Sequence, residues 1–310
     1  MPGSRAAAID AGSNTILLLA GETDPAGPAG YRVVRDEIEF ARLGEGIDVS
    51  KRLSDAAMAR GLAAFRRYAG ICKELGITRV KATGTSALRD ATNGAEFLAA
   101  VERETGYRIE IIDGVREAKL GFAAATDELA EGAAAVVLDI GGGSMQLIRG
   151  DARRGVRGAV SFDLGAVRLT ERWLKHDPPL VGELAALQAE VATALQARAP
   201  AADGAPDVYG VSGTCTTLAA VALGLVAYDS ARIHGASLTM DEIAGLQERF
   251  LQTDSAGRAK MPGLHPKRAD VIVAGTAVLQ EVLAHYGRKH LRISDRGIRH
   301  AVLRETLQGA

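Results

Sequence analysis

Two short segments of the chain carry the same chemistry: Asp10-Ala11-Gly12-Ser13-Asn14-Thr15, and Asp139-Ile140-Gly141-Gly142-Gly143-Ser144. In each, an apolar run (residues 6–9 and 133–138) leads into an aspartate, so each reads as a buried strand entering a tight turn. The glycines let backbone N–H groups converge and a hydroxyl follows, which together make a small nest for phosphate oxygens. An aspartate beside such a nest can hold a hydrated Mg²⁺ that bridges to the same phosphate. Two nests predict two facing domains with a phosphorylated ligand between them.

The elements that must position these turns follow from hydrophobic period and punctuation. Strands are expected over residues 5–10, 16–21 and 31–40, then a helix over 54–75 with Ser54 as N-cap and Gly76 as its stop. A strand over 79–83, a helix over 93–104, a strand over 107–112 and a helix over 115–128 complete a first half of pattern βββαβαβα. The second half restarts at Ala133 with two strands around its glycine turn and a third over 156–162. Helices over 167–174 and 181–197 come next, then a strand over 208–211 and helices from Thr214, Met240 and Lys267. A strand over 291–294 and a last helix from Gly297 close the series. The shared βββαβα pattern is an internal duplication. Residues 24–30 and 199–207, rich in Ala, Pro, Gly and Asp, read as linkers.

At 310 residues, with 47% hydrophobic and 24% charged residues, the chain can bury the cores of two domains. A net charge of −1 gives no global basic field that would announce nucleic acid or a polyanion, though a local patch can still do so; no nucleic-acid or membrane partner is expected. The start lacks the features of a secretory signal and no run reaches membrane-spanning length, so a cytoplasmic protein is expected. Cys72 and Cys215 are far apart and expected as reduced thiols, buried or half-buried. Arg89 can give a phosphate a bidentate contact, or pair with Asp90. Glu117, on the first turn of a helix leaving a strand, can point its carboxylate into a site or simply favour the helix N-terminus.

Taken together, the two Asp-Gly turns, residues 82–90 (ATGTSALRD), 111–120 (IIDGVREAKL) and 138–147 (LDIGGGSMQL), Gly213-Thr214, Arg268-Ala269-Asp270 and residues 294–299 (SDRGIR) resemble the exopolyphosphatase and guanosine pentaphosphate phosphatase family. That family lies within the superfamily of actin, sugar kinases and heat-shock chaperone ATPases. The resemblance implies an α/β protein of two ribonuclease-H-like domains facing each other across a cleft. The first would comprise residues 1–126 with a C-terminal helix, 296–310, packed back on it, and the second residues 127–295. It implies Glu117 as the catalytic base, Ser13, Asn14, Thr15, Arg89, Gly141, Gly142, Gly143, Ser144, Gly213 and Thr214 on phosphates, and Asp10, Asp139 and Gln146 toward Mg²⁺. Lys267 and Arg268 are candidate substrate contacts, and a homodimer is implied by resemblance alone.

The chain departs from the family at two places. Arg116 stands where many relatives carry a second acidic residue. Gln146 stands where the family motif usually has Glu, keeping the shape and an oxygen ligand but losing the charge and the capacity to accept a proton. The expected activity is Mg²⁺-dependent hydrolysis of the terminal phosphoanhydride of inorganic polyphosphate, with guanosine pentaphosphate as the alternative substrate. A weak or inactive phosphate or nucleotide sensor is the alternative that Gln146 supports. Other chemistries fit poorly: Cys215 lacks an arginine six residues on, no P-loop is present, and the six histidines are scattered. His176-Asp177, Gly44-Glu45-Gly46 and the Arg153, Arg154, Arg157 cluster read as surface features.

Overall fold

The computed structural model describes residues 3–27, 29–126, 133–151, 154–201 and 206–309. Arg153, the centre of the 199–207 linker and the end of the helix expected over 115–128 lie outside the described residues. The chain forms two compact units, Met1–Leu120 with Ile298–Ala310, and Gly121–Gly297.

The first unit is built on β1 (Arg5–Ala11), β2 (Ile16–Thr23), β3 (Tyr31–Glu39), β4 (Val80–Gly84) and β5 (Ile109–Ile111), in the order β3-β2-β1-β4-β5. β1 to β3 form an antiparallel meander, and β4 and β5 join β1 in parallel. β1 reads Arg-Ala-Ala-Ala-Ile-Asp-Ala because it is the central strand, antiparallel to β2 and parallel to β4, and its residues are buried on both faces. Ala6 to Ile9 are fully buried. Helix Asp55–Glu74 starts where Ser54 accepts from the Ala57 amide, and Gly76 follows it at φ 66°. Its Phe65 and Tyr68 enter the core; the Tyr68 hydroxyl donates to Ile16 O at 2.7 Å. Helix Ile298–Gln308 packs on β1, β2 and β4 of this unit.

The second unit repeats the plan with β6 (Ala134–Ile140), β7 (Met145–Asp151), β8 (Gly155–Phe162), β9 (Asp207–Val211), β10 (Ser237–Thr239) and β11 (His290–Ser294), ordered β10-β11-β9-β6-β7-β8. β6, β7 and β8 form the antiparallel meander, β9 and β11 run parallel to β6, and β10 adds an antiparallel edge. The likeness extends to irregularities: β2 carries a register shift at Ala20/Gly21 and β7 one at Arg149/Gly150. In both, a helix side chain leans on the bulge glycine. A Cβ on Gly21 would meet Leu303 at 3.0 Å and one on Gly150 would meet Phe122 at 2.6 Å.

The structure corrects several boundaries. The strand expected over 107–112 shortens to Ile109–Ile111. Short helices Ile47–Ser50 and Ser86–Asp90 and the edge strand β10 were not anticipated. The helix expected from Lys267 begins only at Ile272, after a 3₁₀ turn at Pro266–Arg268. At this join Arg258 Nε donates to Ala269 O at 2.7 Å. His176 and Asp177 are both exposed, as expected of a surface pair, and both are engaged in hydrogen bonds. Asp177 accepts from the Ser255 amide at 2.7 Å and from Arg258 at 2.5 Å, and these bonds hold its carboxyl below the usual range against the burial that would raise it.

Candidate functional site

Each unit presents its glycine turn at the same point of the same hairpin. Asp10 lies across from Leu17 and Asp139 across from Gln146, so the aspartates occupy matching register positions. Each turn closes identically, Gly12 N donating to Thr15 O and Gly141 N to Ser144 O, both at 2.9 Å. A Cβ on either glycine would sit 3.2 Å from the accepting carbonyl. A second glycine from the following segment braces each turn: Gly44, whose Cβ would come within 2.8 Å of Ser13 Cβ, and Gly165, whose Cβ would come within 2.3 Å of Gly142 O.

In the first unit, Gly44 N donates to Ser13 O at 2.8 Å and Arg42 N to Asn14 O at 3.0 Å, with Arg42 at φ 49°. Ser13 Oγ meets Ser86 Oγ at 2.9 Å in a buried contact, tying the turn to the short helix after β4. Among the described residues, Oδ1 of Asp10 and Oδ1 of Asn14 are buried with no hydrogen-bond partner. Orphaned acceptors of this kind call for a donor or a cation. Helix Ser86–Asp90 delivers Arg89, whose Nη1 donates to Ile112 O at 2.9 Å and lies 3.4 Å from Glu117 Oε2. Glu117 sits in the first turn of helix Gly114–Ala125 and is 6% exposed. Burial lifts its carboxyl to about 7, with Asp10 and Asp90 adding to the rise and Arg89 opposing it. Asp10 is pushed up to about 6 by burial, partly offset by Arg299. Two carboxyls poised near neutrality beside an arginine form an arrangement that can accept a proton and hold a phosphate.

Arg116 points elsewhere. Its Nη2 grips both carboxylate oxygens of Glu305 at 2.7 and 2.6 Å, and Lys81 reaches the same carboxylate at 3.5 Å. The residue that departs from the family pattern therefore clips the C-terminal helix to the helix carrying Glu117.

In the second unit the turn's carbonyls are all engaged. Ala166 N donates to Gly141 O, Val167 N and Arg168 N donate to Gly142 O, and Arg168 Nε donates to Gly143 O at 2.7 Å. Among the described residues the amides of Gly142, Gly143 and Ser144 donate to no protein acceptor. With carbonyls pulled back and amides unspent, the turn is an anion nest. Gln146, expected to offer an oxygen ligand through its Oε1, directs its Nε2 at Ser144 Oγ, 2.8 Å, and at Ser161 Oγ, 3.4 Å. β9 runs beside β6 and ends at Ser212, held at φ 118°, a strained value for a residue with a side chain. Helix Gly213–Ala222 starts there, and the Arg268 guanidinium covers Gly213 so closely that a Cβ would lie 1.8 Å from Nη1. Thr214 is buried behind it, Arg268 is half-buried and Lys267 is exposed. Cys215 is buried and its thiol is pushed up to about 12, mainly by burial, which makes it an inert packing group.

The sequence-predicted residues thus gather as Asp10, Ser13, Asn14, Thr15, Arg89 and Glu117 in one unit, and Asp139, the 141–144 turn, Gln146, Gly213, Thr214 and Arg268 in the other. Arg42, Gly44 and Gly165 were missed as supports. Gly44-Glu45-Gly46 was visible as a glycine pair but had no local feature linking it to Ser13. Among the described residues no cluster of three His, Cys, Asp or Glu side chains could cage a metal. Isolated carboxylates beside unsatisfied oxygens suit Mg²⁺, which keeps most of its waters and shares them with phosphate.

Comparison with known proteins places the chain in a family. The chain is 35% identical over 288 residues to Exopolyphosphatase 2 of Mycobacterium tuberculosis, a match spanning 90% of both chains. It superposes on the crystal structure of the Aquifex aeolicus Ppx/GppA family member with a TM-score of 0.81, at 29% identity, covering 99% of this chain and 98% of that one. An exopolyphosphatase from Cytophaga hutchinsonii matches with a TM-score of 0.87, at 25% identity and 99% coverage of each. The family description "Ppx/GppA phosphatase family" matches residues 26–309, and the chain belongs to that family.

Proposed function

We propose that the chain is an exopolyphosphatase that hydrolyses the terminal phosphoanhydride of inorganic polyphosphate and releases orthophosphate. The observation that carries this reading is Glu117, a buried carboxyl lifted to about 7 beside Arg89 and the Asp10 turn. A base poised near neutrality can take the proton of an attacking water at the pH where it is needed. The water oxygen then bonds to the terminal phosphorus, the bridging P–O bond breaks, and the leaving chain is one phosphate shorter. Arg89 meets the charge on the non-bridging oxygens, and the amides of the two glycine turns with Ser13, Thr15 and Ser144 bind phosphate oxygens in their respective units. Asp10 and Asp139 are the carboxylates that would accept a hydrated Mg²⁺. Such an ion supplies charge neutralisation to a phosphoryl group in transfer.

The similarity to a relative named exopolyphosphatase supports polyphosphate over the guanosine pentaphosphate alternative. Phosphate release from long-chain polyphosphate and from guanosine pentaphosphate, with Mg²⁺ titrated, tests the reading directly. Glu117→Ala should lower the rate by about 10²–10⁴-fold while binding persists. A rate untouched by that change removes Glu117 as the base, and binding without release by the wild type makes the protein a sensor.

A further inference from the structure

Gln146 is 2% exposed and Ser144 3%, so the contact between them is sealed from solvent. The amide nitrogen is the atom that faces the two hydroxyls, at 2.8 Å from Ser144 Oγ and 3.4 Å from Ser161 Oγ. A hydroxyl has one proton to give and two lone pairs. When Gln146 N–H fills a lone pair of Ser144, the serine proton is left to point away from Gln146. A carboxylate at 146 accepts only, and would draw that proton inward and leave the serine lone pairs outward. It would also place a second negative charge directly across β6–β7 from Asp139.

From this arrangement we infer that Gln146 is a positioning residue that turns Ser144 into a donor, so that the 141–144 turn takes up phosphate groups without a divalent cation. The inference rests on reading that turn as the phosphate site. It goes further in stating that this turn holds a phosphoryl group whether or not an ion is bound at Asp139. Three further features of the same unit fit this assignment. The amides of Gly142 and Gly143 add two more donors. The carbonyls that would repel an anion are engaged by residues 166–168. The Arg268 guanidinium lies against Gly213, at the start of helix Gly213–Ala222, and a guanidinium stays charged throughout the physiological range.

Imidodiphosphate, whose P–N–P linkage takes the place of the phosphoanhydride, separates binding from turnover. Calorimetric titration of the wild-type chain in EDTA and in excess Mg²⁺ should give dissociation constants within about threefold of each other. Gln146→Glu should weaken binding in EDTA by at least tenfold and recover most of it in Mg²⁺; Ser144→Ala should weaken both equally. A melting curve for each variant checks folding, and the wild-type comparison needs no variant at all. Wild-type binding that disappears in EDTA, or Gln146→Glu binding unchanged in EDTA, overturns the inference while leaving the hydrolase reading intact. Absence of wild-type binding under both conditions overturns the inference and the phosphate reading of the turn together.

Discussion

The two glycine turns share a backbone and differ in what surrounds it. Around Asp10 the carbonyls of Ser13 and Asn14 are tied down, two acceptor oxygens are left unsatisfied, and two carboxyls sit near neutrality. Around Asp139 the carbonyls of three glycines are tied down, the amides are left unspent, and the opposite strand carries an amide at Gln146 where β2 carries Leu17. Among the described residues both turns keep unspent amides, at 13–15 and 142–144, that can hold anions; the first adds two carboxyls able to exchange protons, the second an uncharged amide side chain. Duplication of a hairpin therefore supplies a geometry, and chemistry is assigned afterwards by a few buried side chains.

Breaking each turn through its bracing glycine should show how rigid that geometry is. Gly165→Ala drives a Cβ into the Gly142 carbonyl, a backbone group with nowhere to go, and should cost roughly 3 kcal/mol or more. Gly44→Ala meets only the Ser13 Cβ at a longer distance and should cost roughly half as much. Chemical denaturation midpoints at constant m report both; equal losses would mean that the two turns are equally compliant.

A second test uses pH to separate them. Folding raises Asp10 from 3.8 to about 6 and Glu117 from 4.5 to about 7. Over that interval the folded state binds more protons than the unfolded one, so stability falls as pH rises from about 4 to about 7. Each group contributes on the order of 3 kcal/mol to that loss, which Asp10→Asn and Glu117→Gln should abolish in turn. Hydrogen exchange of the β1–β2 amides should register it. Catalysis runs the other way, because the base must be ionised: phosphate release should climb tenfold per pH unit up to about 7 and then level off. Arg89→Ala removes the guanidinium that favours the ionised form, so the midpoint should move to higher pH. A midpoint unmoved by that change would detach Arg89 from Glu117.

The smallest effect is expected at the clip on the C-terminal helix. Arg116 and Glu305 are partly solvated, and Arg116→Ala should cost no more than about 1 kcal/mol. A loss several times larger would show that the first turn of the Glu117 helix depends on it.

Much of this was legible in the chain itself. The meanders, both aspartate turns, Ser54 as a cap and Gly76 as a stop follow from local period and punctuation, which operate within a few residues of one another. Gln146 was visible as a departure, and its charge loss could be argued before its contacts were known. What escaped depends on partners distant in sequence. Gly44 and Gly165 matter only because of what they approach. Beside the late start of helix Ile272–His285 lies Arg258, a charged residue 2% exposed that donates to Phe250 O, Thr253 O, Ala269 O and Asp177. No propensity scale anticipates a buried arginine, because its cost is cancelled by carbonyls that only the finished fold supplies.

Helix Ile298–Gln308 lies on a sheet whose first strand is made nearly three hundred residues earlier, with Leu303 fully buried against it and Arg79 donating to Thr306 O at 3.2 Å. During synthesis the amino-terminal sheet must therefore leave the ribosome with one face uncovered and wait. The unit encoded in between can finish its own core first. Order of manufacture and order of completion are reversed, so a nascent chain should be unable to acquire the proton-handling half of its chemistry until helix Ile298–Gln308 emerges.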